Sequence, residues 1–171
     1  MKFTAAIFAA SALVAGVTAD YATVKTDVLR IQTDVAKLYQ ALKSTTGTSY
    51  SEALAIDSAS KTLVKDINTA NTDAKAVSSV TTTQAQALIS ILSKTYVNVT
   101  GSAQRLIALK PAFTKLGVAG IAKTDINNVA TATKTFGATL VSKAPSASKS
   151  SASSLAAKYN KALASAVAAY A

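Results

Sequence analysis

The groups that usually carry acid, base and metal chemistry are scarce in this chain, and those present are spaced apart. There is no histidine and no cysteine. The commonest general base, the commonest transition-metal ligand and the disulfide staple are therefore all missing. The carboxylates are Asp20, Asp27, Asp34, Asp57, Asp66, Asp73, Asp125 and Glu52, and none falls in the dense motif of a calcium loop or a phosphate cradle. A carboxylate pair assembled by folding, as in glycosidases, is left open by the sequence. Nothing else supplies a catalytic, metal-binding or cofactor-binding set, so the expectation is a non-enzymatic chain without cofactor or metal. One covalent modification has a motif, the glycosylation sequon Asn98-Val99-Thr100, with Asn98 as acceptor in a secreted eukaryotic protein.

What remains is charge and apolar surface. Eighteen basic against eight acidic residues give +10, and apart from Arg30 and Arg105 the basic residues are lysines. They are spread along the chain, whereas nucleic-acid readers gather arginine and aromatic residues in one patch. Nucleic acid is therefore not an expected partner. Diffuse positive charge fits anionic lipids, fatty acids or acidic wall polymers, and it also keeps a surface soluble.

Residues 1–19 read as a secretory signal. Lys2 supplies the positive start, Ala5 to Val17 the uncharged apolar run, and Val17-Thr18-Ala19 the small residues of a cleavage site after Ala19. The run is too short for a membrane anchor and ends beside Asp20, so the chain is not expected to span a membrane. A secreted, extracellular or wall-associated protein follows. Its division is expected to be a helical bundle over 20–144, a Ser/Ala-rich linker over 145–154 suited to O-linked sugars, and an amphipathic C-terminal helix over 155–171 docked on the bundle.

Periodicity defines the bundle. Val24, Val28, Ile31, Val35, Leu38 and Leu42 recur at steps of four and three, the stripe of one helix. Between them Asp27, Arg30, Asp34 and Lys37 alternate in sign, as on a solvated face. After a turn over Lys43 to Thr48, Ser49 and Glu52 have capping-box spacing ahead of Ile56, Leu63, Ile67, Ala70, Ala74 and Val77. Thr81 and Gln84 repeat that signature before Leu88, Leu92, Tyr96, Val99, Ala103 and Leu106, with a bend expected near Gly101-Ser102. Pro111 marks the next boundary, opening a short segment with Phe113 and Leu116. Thr124 or Asp125 then caps a helix carrying Ile126, Val129, Phe136 and Leu140, and Leu155, Tyr159, Leu163, Ala166 and Tyr170 form a last stripe. The fold class is all-α, a bundle of about four to six amphipathic helices, mostly antiparallel.

The signal ending Val-Thr-Ala, the cysteine-free helical domain, the segment Val28-Leu29-Arg30-Ile31-Gln32-Thr33-Asp34-Val35 and the Ala-, Ser- and Thr-rich helices resemble the hydrophobic surface binding protein A family. The resemblance covers essentially the whole chain as an overall pattern, without a sharp catalytic motif. It implies a fungal extracellular or cell-wall protein, related to wall galactomannoproteins, that adsorbs to hydrophobic surfaces or holds fatty acids. It also implies a role in recruiting a secreted esterase or cutinase to apolar polymers, with cell-wall polysaccharide as a further partner. Two mechanisms fit the residues: a slot between helices with a lysine near its mouth for a carboxylate headgroup, or a bundle that opens and lays its apolar faces on a surface. The positions for either are Ile31, Val35, Leu38, Leu63, Ile67, Leu88, Leu92, Tyr96, Phe113, Phe136 and Leu140, all of which also serve ordinary core packing. The alternatives are a structural wall mannoprotein with no ligand and, behind it, membrane-active toxicity.

Overall fold

Local side-chain chemistry starts several helices where the sequence places them. A computed structural model describes residues 19–171, so the expected signal up to Thr18 lies outside the described residues. The chain forms α1 (Tyr21–Ser44), α2 (Tyr50–Ala76), α3 (Thr82–Leu116), α4 (Ala119–Lys143) and α5 (Ser146–Ala169). Asp20 Oδ1 accepts from the Thr23 N–H at 2.8 Å and caps α1. At α3 the full reciprocal box forms: the Thr81 N–H donates to Gln84 Oε1 at 2.9 Å, and the Gln84 N–H donates to Thr81 Oγ1 at 3.3 Å. At α2 only half forms. Ser49 Oγ accepts from the Glu52 N–H, but the Glu52 carboxylate turns to accept from Thr45 Oγ1 at 2.6 Å. Thr45 is buried and also receives the Gly47 N–H at 3.0 Å, so the carboxylate binds the α1–α2 turn together instead of completing a cap.

Three boundaries differ from those expected. The stretch 145–154 is not a linker: Pro145 precedes the first residue of α5 and the helix runs on without interruption. Its poverty in large side chains is what lets it dock, since Ser148 and Ala152 are buried and Gly137 of α4 approaches Ala156 so closely that a Cβ there would sit 3.4 Å from the alanine methyl. Pro111 lies inside α3, which continues to Leu116. Proline in a helix interior costs about 3 kcal/mol, and burying Leu109 and Phe113 on either side, each 2% exposed, returns about 1.5–3 kcal/mol apiece. Thr124 and Asp125 cap nothing, because α4 already starts at Ala119. Gly117 at φ +81° ends α3, with the Val118 N–H donating back to the Phe113 carbonyl at 2.9 Å.

The charged face of α1 also divides differently. Arg30 and Lys37 reach solvent, but Asp27 and Asp34 are 4% and 8% exposed because α2 packs over that side.

Successive helices alternate in direction, yet their packing order is not their chain order. α1 packs on α2, α2 on α4, α4 on α5, α5 on α3, and α3 on α1, closing a ring of five. α1 and α3 run parallel, as shown by Tyr39 against Gly101 and Leu42 against Arg105. α2 and α4 run parallel through Asn71 with Thr139 and Lys75 with Lys143, and α3 and α5 through Leu92 with Tyr159 and Leu106 with Tyr170. Arg105 donates to the Leu42 carbonyl at 2.9 Å and the Thr45 carbonyl at 2.6 Å, satisfying acceptors left free at the end of α1. A ring has a middle, and the aliphatic stripes all point into it.

Candidate apolar binding cavity

The middle of the ring is incompletely filled. A cavity of about 110 Å³ lies there with walls from all five helices: Ile31 and Val35 of α1, Leu63 and Ile67 of α2, Leu88, Leu92 and Val99 of α3, Val129, Phe136 and Leu140 of α4, and Leu155, Tyr159 and Leu163 of α5. Native interiors are normally packed without such a gap. An engineered apolar space of roughly 150 Å³ stays dry and admits a benzene-sized molecule, and this one is of the same order but smaller. The wall residues are aliphatic or small in the main, and five helices in a ring leave more axial space than such side chains fill.

Among the described residues lining this cavity, Lys143 alone is charged. It stands where α4 finishes, and its Nζ donates to the Lys75 carbonyl at 2.9 Å and the Val77 carbonyl at 2.6 Å. An ammonium has three N–H groups, which leaves one for an incoming carboxylate. Tyr159 forms another part of the wall. Its hydroxyl donates to the Leu92 carbonyl at 2.7 Å, its ring packs on Tyr96 with centroids 5.4 Å apart, and burial pushes its phenol upward so that it stays neutral.

A second cavity of about 60 Å³ lies toward the opposite end of the ring. Val35, Leu63, Val99, Val129 and Leu163 line both spaces, so a partition of aliphatic side chains separates them. The second space has a polar edge of Ser60, Ser102 and Asp125. Ser102 Oγ is buried without a hydrogen-bond partner. Burial, and then the charge of Asp57, push the Asp125 carboxyl up to about 6 against the pull of Lys61. Lys61 is itself bonded to Asp57 at 2.8 Å.

Of the eleven positions expected from sequence, Ile31, Val35, Leu63, Ile67, Leu88, Leu92, Phe136 and Leu140 line the larger cavity. Leu38 lines the smaller one. Tyr96 stands behind the wall against Tyr159, and Phe113 is packed in the core beside the Gly47 turn, in neither lining. Among the lining residues missed are those of α5, together with Ile89, Val99, Val129 and Lys143. The spacing of Leu155, Tyr159 and Leu163 carried the signal, but a stripe placed behind a presumed linker gave no reason to put it in the wall. Asn98 is half-buried midway along α3, and Thr100 Oγ1 donates to the Tyr96 carbonyl at 3.0 Å.

Outside the ring, Tyr50 and Leu54 near the start of α2, Ile107 of α3 and Ile121 near the start of α4 are exposed apolar side chains at the end away from Lys143. Among the described residues no helix is long and apolar enough to cross a membrane, and no cluster of residues suited to a metal ion is found.

The family model for hydrophobic surface binding protein A matches residues 21–142. No curated protein matches the chain. Among solved structures, the AfMP4p protein in complex with palmitic acid is 27% identical with a TM-score of 0.84, the match covering 89% of this chain and all of that one. Ligand binding domain 1 of the Penicillium marneffei MP1 protein, complexed with arachidonic acids, has a TM-score of 0.81 at 18% identity, covering 88% of this chain and 99% of that one. Domain 2 of the same protein, complexed with multiple arachidonic acids, has a TM-score of 0.79 at 15% identity, covering 86% and 93%. The last two show likeness of fold.

Proposed function

We propose, from the premise that this chain belongs to the hydrophobic surface binding protein A family, that it is a non-catalytic carrier holding a fatty-acid-like chain inside its helical ring. The observation that carries this reading is the apolar cavity walled by all five helices, with Lys143 at one end. An acyl chain entering it leaves water at about 0.8 kcal/mol per methylene, and the free N–H of Lys143 receives the carboxylate. A long chain extends into the second space when the aliphatic partition changes rotamer. The complexes of the structural neighbours with palmitic and arachidonic acids support the choice of ligand class. In the same proposal the chain is secreted to the fungal wall or medium, Asn98 is its sugar acceptor, and a secreted esterase and wall polysaccharide are its further partners.

Adsorption to a hydrophobic surface is the second reading, favoured by the family and by Tyr50, Leu54, Ile107 and Ile121 exposed at one end. Equilibrium titration of the purified chain with a long-chain fatty acid, beside adsorption to a hydrophobic polymer, separates the two. Saturable binding with defined stoichiometry supports the carrier, and adsorption alone supports the surface reading. Failure of both leaves a structural wall protein with no ligand.

A further inference from the structure

Most acidic side chains of this basic chain face one another across helix interfaces. Asp27 of α1 faces Asp73 of α2, and Asp34 faces Asp66, the members of both sets lying seven residues apart as antiparallel packing requires. Asp125 of α4 faces Asp57 of α2. Six of the eight carboxylates are thus used in pairs, which makes pairing the rule in a chain with ample lysine to neutralise them.

The two pairs between α1 and α2 have an unmet hydrogen-bond requirement. Asp27 Oδ2 and Asp34 Oδ2 are buried without a partner. Arg30 at 3.4 Å and Lys37 at 3.7 Å reach only the Oδ1 atoms. Two ionised carboxylates offer acceptors and no donor, whereas one proton held between them supplies the missing bond. Burial first, and then the facing carboxyls of Asp73 and Asp66, push Asp27 and Asp34 upward, with Arg30 and Lys37 opposing. Asp66 adds to the repulsion at Asp27. From α3, the other helix packed on α1, the basic residue at this level is Lys94, and it is exposed. Along the same seam, Ile31 and Val35 of α1 and Leu63 and Ile67 of α2 form one side of the larger cavity.

We propose that these two aspartate pairs make an acid-closed seam that gates the cavity. A proton shared across each pair ties α1 to α2 and keeps the bound chain in. As pH rises the protons leave to solvent, like charges oppose each other, the seam parts and the chain exchanges. The gate rests on the cavity being a ligand site, so its test uses two readouts. The first is the dissociation rate of a pyrene-labelled fatty alcohol, whose own charge does not change with pH, from the wild type and from Asp66→Asn/Asp73→Asn. In the variant an amide donates to each buried carboxylate at every pH. Since both carboxyls are pushed above their ordinary value, the wild-type rate is expected to rise severalfold across a scan from acid to neutral pH, with the variant nearly flat. Equal pH dependence in both proteins overturns the gate. The second readout is amide exchange of the ligand-free wild type, corrected for intrinsic rates, in which α1 and α2 should lose protection relative to α5 as pH rises. Uniform protection across that range overturns the gate whether or not any lipid binds. If the alcohol binds neither protein, the exchange data still decide the seam, and the fatty acid titration above decides the carrier reading.

Discussion

Leu163→Ala removes the part of the partition contributed by α5. Leu163 is 8% exposed and lines both cavities, so truncation deletes buried aliphatic carbon and joins the two spaces. Substitutions of this kind cost about 2–5 kcal/mol, the larger values where the surroundings do not collapse. A ring already open along its axis collapses little, which places the loss in the upper half of that range. At about 2–4 °C per kcal/mol for a domain of this size, Tm should fall by roughly 7–20 °C. Ligand binding should move in the opposite direction. In the wild type a long acyl chain has to displace Leu163 to occupy both spaces. In the variant that work is already done, and three or so additional methylenes at about 0.8 kcal/mol each correspond to an affinity gain of roughly fiftyfold. A chain short enough for the larger cavity alone should gain nothing. Calorimetric titration with a saturated fatty acid series, beside thermal melts, reads both effects. A parallel loss of affinity for short and long chains would refute the two-space geometry, even if the melting temperature fell as expected.

Lys143→Met should weaken fatty acid binding about tenfold or more, the value of a hydrogen bond to a charged group, while leaving the affinity for the matching fatty alcohol within twofold. Equal losses for acid and alcohol would show that Lys143 acts only by holding the end of α2. Gly47→Ala should destabilise the fold by more than the roughly 1–2 kcal/mol of a left-handed backbone penalty, since φ is +79° and the new methyl would lie 2.8 Å from Ala112 Cβ. Urea unfolding measures it, and a loss under 1 kcal/mol would contradict the close packing of that turn on α3. For Asp125, whose folded pKa of about 6 lies above the ordinary 3.8, the folded state holds the extra proton between those values. Its contribution is therefore present at the acid end and is lost as pH rises through about 6. Asp125→Asn should flatten part of the fall in stability between about pH 4 and pH 7 in denaturant titrations, and an unchanged slope would refute the assignment.

Much of this architecture was legible because a helix stripe is a local signal. Val24 through Leu42 at steps of three and four mark α1 unambiguously, and Thr81 with Gln84 mark the start of α3. The errors arose where tertiary contact overrode a local preference. Pro111 stays in a helix because Leu109 and Phe113 are buried, and Ser146 to Ser154 are helical because α4 offers a small-residue face. The apolar stripes that wall the cavity were readable on each helix, but their closure around one space was not, since nothing in a sequence states that α3 and α5 are neighbours. The carboxylates were the hardest to read. Asp27 and Asp34 occupy solvent-face spacing, and only the position of α2 turns that face inward.

The odd number of helices in the ring has a practical consequence for attachment. With α1, α3 and α5 pointing the same way, Tyr21 and Ala169 lie at opposite ends of the barrel, separated along its axis by about 36 Å for a helix of 24 residues at about 1.5 Å each. Lys143 and the larger cavity are at the Tyr21 end. A tether before α1 leaves the ring at the Lys143 end, beside the larger cavity, while one after α5 leaves it at the far end. In copies joined in tandem, the Lys143 end of each follows the far end of the copy before it.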